Sequence, residues 1–474
     1  MKTFFCFLGL WLFFSLACFS IWGVSTVGDV EFENIFFHMF MPLQGAHTDW
    51  AQDLWKPLIG MLITGIIAFV VCYVFKIKII LLTLFFLIVF DCWYVNKHFK
   101  ACDFLKSQFE SSNFIEQYYV MPHYPNIVFP DKKKNLIIVM VESLETSYQD
   151  KENGGLLDDN YIPELTKLAK ENISFSSSDK IEGAFVAPET GWTIAATVAQ
   201  TAGIPLKLYG SLETNNKKRK IDNSMGKYKY FLPGAITLGD ILSHNGYKNY
   251  FILGTDAQFA GKSTYLKQHG DYIIYDKNNI EGGTHKRYYQ DQDLFSFIKQ
   301  QLPQISKQQP FSLLIQTINT HFAKKDVFQD TSKIVDSFLQ WLKKQDFYQN
   351  TVIIVVGDHC NMKHTDFNNI EKTDFRYMGN MRRKIYNLFI NSLVKPVSEK
   401  NRKFSTFDMF PTILASLGVQ IKDDKLGLGT NLFSNKKTLF EIYEPEYVFT
   451  ELKKKSHWYN KRLLYKDFFI WGNR

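Results

Sequence analysis

The chain has 474 residues, a formal charge of +8 and an apolar fraction of 46%. That length accommodates membrane segments and one large domain, and the modest positive balance, held in short runs such as Lys132–Lys134, excludes a nucleic-acid-binding tail. Its six cysteines form no C-x-x-C pair, which excludes a zinc cluster of that type and a dense disulfide framework.

The first part of the chain reads as membrane. Residues 3–24, 55–75 and 77–95 are almost entirely apolar, and each approaches the ~20 residues that carry a helix across a bilayer. Lys2 precedes the first span, and Lys76 and Lys78 flank the short turn between the second and third. The loop after the first span carries Asp29, Glu31, Glu33, Asp49 and Asp53 and no Lys or Arg. Positive flanks favour the cytoplasm, so the N-terminus and the short turn are expected inside and everything after residue 97 outside. A cleaved signal peptide is the rival reading of the first span, with Phe14–Cys18 resembling a lipoprotein cleavage site. The apolar run continuing past Cys18 favours a retained anchor. Asp91, near the outer end of the third span, reads as an interfacial contact before an intramembrane functional acid.

Residues 98–130 read as a juxtamembrane segment. Phe99, Cys102, Leu105 and Phe109 follow helical spacing, which suits an amphipathic helix at the membrane surface. The prolines of MPHYPNIVFP then mark a boundary, so a catalytic domain is expected over 131–474. Within it, strands are predicted at Leu136–Val141, Tyr250–Leu253, Tyr272–Tyr275, Ser312–Thr317, Val352–Val356 and Asn387–Ile390. Helices are predicted at Ile162–Glu171, Trp192–Thr201, Leu238–Ser243, Gln292–Gln301, Lys333–Lys344 and Thr406–Leu417. Near-continuous apolar strands alternating with helices indicate an α/β fold with a central, mostly parallel sheet between helices. Ligand sites in such sheets gather at the carboxyl ends of the strands.

Several residues stand at those ends. Glu142 closes NLIIVMVE, and Asp358-His359 closes TVIIVVGDH. Two carboxylates and an imidazole are donors for a divalent cation, although an acid after a strand is also a common helix cap. Thr190, in APETGWTIAATVAQ, stands where a loop becomes a helix. Either Thr190 or Thr193 reads as a plain N-cap, and the same position suits a nucleophile whose phosphoryl group is stabilised by helix N–H groups. His321 follows the strand of LLIQTINTH on the expected site rim. Lys262, in FAGKSTYLKQHG, could meet a phosphate as a point charge or remain a solvated loop residue. Trp192, beside the threonine, joins these two as a candidate substrate contact. Cys102 and Cys360 lie outside the spans, and no bridge between them is predicted because Cys360 adjoins the site.

Together, VESLE, PETGWTIAA, INTHF and VVGDH resemble the membrane-anchored phosphotransferases of the alkaline phosphatase/sulfatase superfamily. This group includes lipoteichoic acid synthase and the phosphoethanolamine transferases of lipid A. TGWTIAATVAQTAGIPL, FAGKSTYLKQHG, GDHCNMKHT, NLFI and LGLGTNLFS are most similar to its branch of phosphoglycerol transferases that act on periplasmic oligosaccharides. The resemblance implies a sulfatase-like domain holding one manganese or zinc ion on Glu142, Thr190, Asp358 and His359. It makes Thr190 the nucleophile and has His321 contact the transferred phosphate or the donor. It implies a phospholipid donor and a glycan acceptor, either a periplasmic oligosaccharide or lipopolysaccharide, at a multi-pass bacterial inner-membrane protein with its catalytic domain in the periplasm. The expected reaction moves phosphoglycerol from phosphatidylglycerol through a phospho-threonine. Phosphoethanolamine transfer is the alternative, and a catalytically inactive glycan-binding protein is a third reading that the intact acid, threonine and Asp-His elements oppose. A sulfatase would carry Cys or Ser in C/S-x-P-x-R, whereas Thr190-Gly-Trp-Thr-Ile lacks that proline and arginine. The lipid A branch usually carries several disulfides in its outer domain, and two isolated cysteines depart from that pattern.

Overall fold

The structure, a computed structural model, describes residues 2–27, 32, 35, 53–207, 209–214, 217–222, 231–280, 288–321, 323–361, 367 and 382–464. It divides into two compact units, residues 1–36 with 46–106 and residues 37–45 with 107–474.

Among the described residues the first unit holds three long helices, α1 (Lys2–Val27), α2 (Trp55–Val74) and α3 (Ile77–Phe99). Each is long and apolar enough to cross a membrane. They pack through small residues: Gly60 lies against Cys18 and Gly65 against Trp11. Leu10, Ala68 and Ile80 form the buried centre. The helical periodicity read through Phe99–Phe109 is broken. Lys100, at φ 53°, ends α3, and a separate short helix, α4 (Ala101–Ser107), follows.

The second unit is built on six strands: β1 (Asn135–Val141), β2 (Lys248–Leu253), β3 (Ile273–Tyr275), β4 (Phe311–Gln316), β5 (Thr351–Gly357) and β6 (Asn387–Ile390). Their order in the sheet is β3-β2-β4-β1-β5-β6, and every pair is parallel except β5 with β6. The central strands are fully buried, which is why they read as unbroken Val, Ile and Leu runs. Ile137, Val139 and Val141 share a core with α5 (Pro163–Glu171), α9 (Asp291–Ile305) and α10 (Lys325–Leu342). Side chains alternate along a strand, so Met140 points to the other face, where Thr197 of α6 (Thr193–Ala202) donates to its sulfur. Two further helices, α7 (Leu238–His244) and α8 (Lys262–Gln268), flank β2 in sequence, and α11 (Met409–Ser416) follows β6.

Two boundaries differ from the sequence reading. Helix α10 starts at Lys325 rather than Lys333, because its first turns bury Phe328, Thr331 and Ser332, and two of those three are polar. Residues 107–130, read as linker, are packed into the second unit. Val120 bridges to Gly427, Ser111 bridges to Lys455, and Ile127–Val128 pairs with Gln420–Ile421. All six predicted strands form.

Candidate active site

Strands β1 and β5 lie side by side in parallel register, with Val141 opposite Gly357. Each chain then leaves the sheet at its carboxyl end, so Glu142 meets Asp358 and His359 although more than 200 residues separate them in sequence. All three are buried, and one ligand atom from each lies within 4.8 Å of the others. Gly357 permits this for a reason other than a turn: a Cβ there would stand 1.8 Å from the Leu144 carbonyl oxygen, so only glycine lets the two strand exits pass.

The hydrogen bonds fix each member of the cluster and leave one carboxylate oxygen open. Asp358 Oδ1 accepts from the Ser143 and His359 main-chain N–H groups, both at 2.7 Å. Asp358 Oδ2 is buried and has no hydrogen-bond partner. Glu142 Oε1 accepts from the Ser143 hydroxyl at 2.9 Å and lies 3.1 Å from His321 Nδ1 and 3.2 Å from His359 Nε2. His359 Nδ1 lies 2.9 Å from the Cys360 carbonyl oxygen, which can only accept, so Nδ1 carries a proton and Nε2 is the nitrogen turned toward the carboxylates. The main chain of Glu142 is pinned as well. Its N–H donates to Thr317 Oγ1 at 3.0 Å, and its carbonyl accepts from the Thr320 hydroxyl.

The threonine of the cluster is Thr193. Its hydroxyl, at the first residue of α6, lies 3.3 Å from Glu142 Oε2 and 3.4 Å from His359 Nε2. Thr190 is buried three residues earlier, and its hydroxyl donates to the Ala187 carbonyl at 2.7 Å. Of the two helix-start threonines, the structure therefore brings Thr193, not the expected Thr190, against the cluster: Trp192 is extended and occupies the cap position. Trp192 itself is buried. His321 is partly exposed on the rim, against Glu142. Lys262 is not a solvated loop residue. Its amine is buried, 3.2 Å from Thr255 Oγ1 and 3.4 Å from Gln316 Oε1 at the carboxyl end of β4.

The electrostatics follow from burying several charges together. Burial pushes the Glu142 carboxyl up, but the His359 and His321 charges outweigh it and hold Glu142 well below the ordinary range. Asp358 is pushed up to about 7 by burial and then by the Glu142 carboxylate. For His359, burial is outweighed by the Asp358 and Glu142 charges, which push it up to about 10. Burial lowers Lys262 to about 8 against the pull of Glu142, Asp256 and Asp358. The cluster therefore attracts positive charge. Two carboxylates, a hydroxyl and one imidazole whose Nδ1 is tied to the Cys360 carbonyl form a hard, oxygen-rich donor set that suits a divalent cation, which would take the place of the second imidazole proton.

Sequence reasoning missed the support behind this cluster. Arg383 Nε donates to Glu145 Oε2 at 2.7 Å, and Nη2 reaches Glu145 Oε1 and the Asn361 carbonyl. Asn361 in turn donates its N–H to Glu145 and its side-chain amide to the Tyr148 hydroxyl and the Ala323 carbonyl. The pair is buried and clamps the segment that follows His359. Arg383→Met leaves the Glu145 charge without its guanidinium, so it is expected to cost about 3–5 kcal/mol in denaturant unfolding. Adding Glu145→Leu should recover much of that loss in a double-mutant cycle. Only the acid of this pair had a sequence signal, as the last residue of VESLE.

A family model described as Sulfatase matches residues 134–419, more than half of the chain. The chain belongs to the sulfatase family. It is 30% identical over 348 residues to phosphoglycerol transferase I of Escherichia coli O6:K15:H31, an alignment covering 67% of this chain and 41% of that protein. The same identity and coverage relate it to phosphoglycerol transferase I of Shigella boydii serotype 18. The chain thus spans about two-fifths of the length of these relatives. Among solved structures it is similar to an alkaline phosphatase superfamily protein from Vibrio parahaemolyticus (22% identity, 61% of this chain and 67% of that one, TM-score 0.44). It is also similar to the lipoteichoic acid synthase LtaP from Listeria monocytogenes (18% identity, 68% and 80%, TM-score 0.48).

Proposed function

We propose that the chain is a membrane-anchored, metal-dependent phosphotransferase that moves phosphoglycerol from phosphatidylglycerol to a periplasmic or cell-surface glycan through a phospho-threonine. The observation that carries the reading is the Thr193 hydroxyl, set at a helix N-terminus within 3.4 Å of both Glu142 and His359. The name of the relatives, phosphoglycerol transferase I, supports the choice of head group. Sulfate ester hydrolysis through formylglycine is opposed by the residues themselves. Counted from Thr193, the stretch is Thr-Ile-Ala-Ala-Thr, with alanine and threonine where that motif needs proline and arginine.

In this mechanism the Glu142 carboxylate, Asp358 Oδ2, His359 Nε2 and Thr193 Oγ1 would hold one manganese or zinc ion. When bound, the ion lowers the hydroxyl pKa and neutralises charge on the phosphoryl oxygens. Thr193 gives up its proton and bonds phosphorus. The bond from phosphorus to the diacylglycerol oxygen breaks, and that oxygen takes up a proton. In the second displacement a glycan hydroxyl bonds phosphorus, the P–Oγ1 bond breaks and Thr193 regains its proton. N–H groups in the first turn of α6 favour the phosphoryl oxygens. His321 on the rim offers a hydrogen-bonding imidazole, and the buried Lys262 amine a positive charge, to the transferred group. Holding the site beside its lipid donor raises the donor's effective concentration.

The donor assignment is tested by incubating purified protein with head-group-labelled phosphatidylglycerol or phosphatidylethanolamine, with no acceptor present. Label is expected on the protein from phosphatidylglycerol, and more slowly from the other lipid. Labelling by phosphatidylethanolamine alone overturns the phosphoglycerol reading in favour of phosphoethanolamine transfer. The proposed orientation, with the second unit in the periplasm, rests on Lys2, Lys76 and Lys78 at the inner flanks. A phosphatase reporter fused after residue 106 is expected to be active. A silent reporter there, with activity when fused after residue 76, reverses the orientation.

A further inference from the structure

The two carboxylates of the site share one supporting residue that the transfer chemistry leaves unused. Ser143 follows Glu142, is buried, and has φ 55°, a left-handed conformation that is uncommon outside glycine, asparagine and aspartate. Both of its donors are committed. Its main-chain N–H donates to Asp358 Oδ1 at 2.7 Å, and its hydroxyl donates to Glu142 Oε1 at 2.9 Å. Glycine would accept this backbone more readily, so a turn alone gives no reason for a side chain here. The hydroxyl supplies one.

We infer that Ser143 is a positioning residue for the cation site: it holds Glu142 Oε1 and Asp358 Oδ1, so that the Glu142 carboxylate stays facing His359 Nε2 and Asp358 Oδ2 is left open toward the ion. The inference rests on the reading of Glu142, Asp358 and His359 as cation ligands. The N–H arm belongs to the backbone and survives most substitutions, whereas the hydroxyl arm does not. Without it, Glu142 Oε1 keeps only its imidazole neighbours, and the carboxylate can swing toward His321 on the rim. Hydrogen-bond partners behind metal ligands typically contribute 10- to 100-fold to metal affinity, and about that loss is expected here.

The test uses the full chain in detergent, stripped with a chelator, carrying Ser143→Gly, Ser143→Ala or Ser143→Thr. Two quantities are read: affinity for zinc and manganese, by competition with a chromogenic chelator, and the thermal midpoint of the stripped protein. Glycine and alanine both remove the hydroxyl, so both should lose affinity by the same ~10- to 100-fold. They should differ in midpoint, because glycine is free of the strain at positive φ and alanine is not. Threonine keeps the hydroxyl and should keep wild-type affinity, while its branched side chain lowers the midpoint. Should threonine fail to fold, the glycine–alanine comparison still decides. Affinities that follow the midpoints across the variants, or wild-type affinity in Ser143→Gly, overturn the inference. Asp358→Asn is the control for the underlying reading. If it keeps the cation, the ligand assignment itself fails. If it loses the cation while Ser143→Gly retains it, only the role of Ser143 falls.

Discussion

Thr193→Ala is expected to abolish labelling of the protein by phosphatidylglycerol and to lower turnover by at least about 10⁴-fold, the scale on which removing a covalent nucleophile is felt. Thr190→Ala is expected to leave labelling intact. That change removes a hydrogen bond to the Ala187 carbonyl at 2.7 Å, worth about 1 kcal/mol of stability. The pair of variants separates two hydroxyls that lie three residues apart. Thr193 opens α6 against the Glu142 carboxylate and the His359 imidazole, and Thr190 turns back on its own loop. Mass spectrometry of the labelled peptide gives the answer directly. A phosphoglyceryl group on Thr190, or labelling that survives Thr193→Ala, returns the nucleophile to the earlier threonine.

Asp358→Asn is expected to remove the cation and with it all transfer, while the metal-free variant unfolds at the same temperature as the metal-free wild type or higher. The sign follows from the geometry. An asparagine oxygen in the Oδ1 position can still accept from the Ser143 and His359 N–H groups, so the loop keeps its hydrogen bonds. What is lost is the inner oxygen, which has no hydrogen-bond partner, and a negative charge that burial and Glu142 both disfavour. Loss of a direct ligand should exceed the ~100-fold that removing a supporting hydrogen bond costs in affinity. Metal analysis of the purified variant beside its thermal midpoint separates the two effects. Full occupancy in the variant removes Asp358 from the ligand set.

How much of this was legible in the sequence depended on whether the signal was local. The central strands were the most readable because burial on both faces leaves runs of Val, Ile and Leu. The acids and the imidazole were readable because they close such runs at the ends where sheets bind ligands. The choice between Thr190 and Thr193 was not readable, since both stand at the start of one helix and capping preference does not separate them. The start of α10 was blurred because Thr331 and Ser332 lie on its buried face. Residues 107–130 looked like a tether because their partners, Gln420–Ile421, Gly427 and Lys455, lie some 300 residues away, and no periodicity announces a contact of that range. Ser143 carried no signal either. A serine held at positive φ is indistinguishable in sequence from one in any turn, and its importance appears only when Asp358 arrives opposite it.

The position of β1 between β4 and β5 has a consequence for how the molecule comes into being. Glu142 and Thr193 are made early, but the strand that delivers Asp358 and His359 is among the last in the sheet to be synthesised. Parallel neighbours so distant in the chain pair late, because closing the long loops between them must precede any reward. A nascent or prematurely ended polypeptide therefore presents the Thr193 hydroxyl and Glu142 without the other half of their cluster. On the proposed chemistry, the enzyme would gain its power to cleave membrane lipid in one step, when β5 docks beside β1.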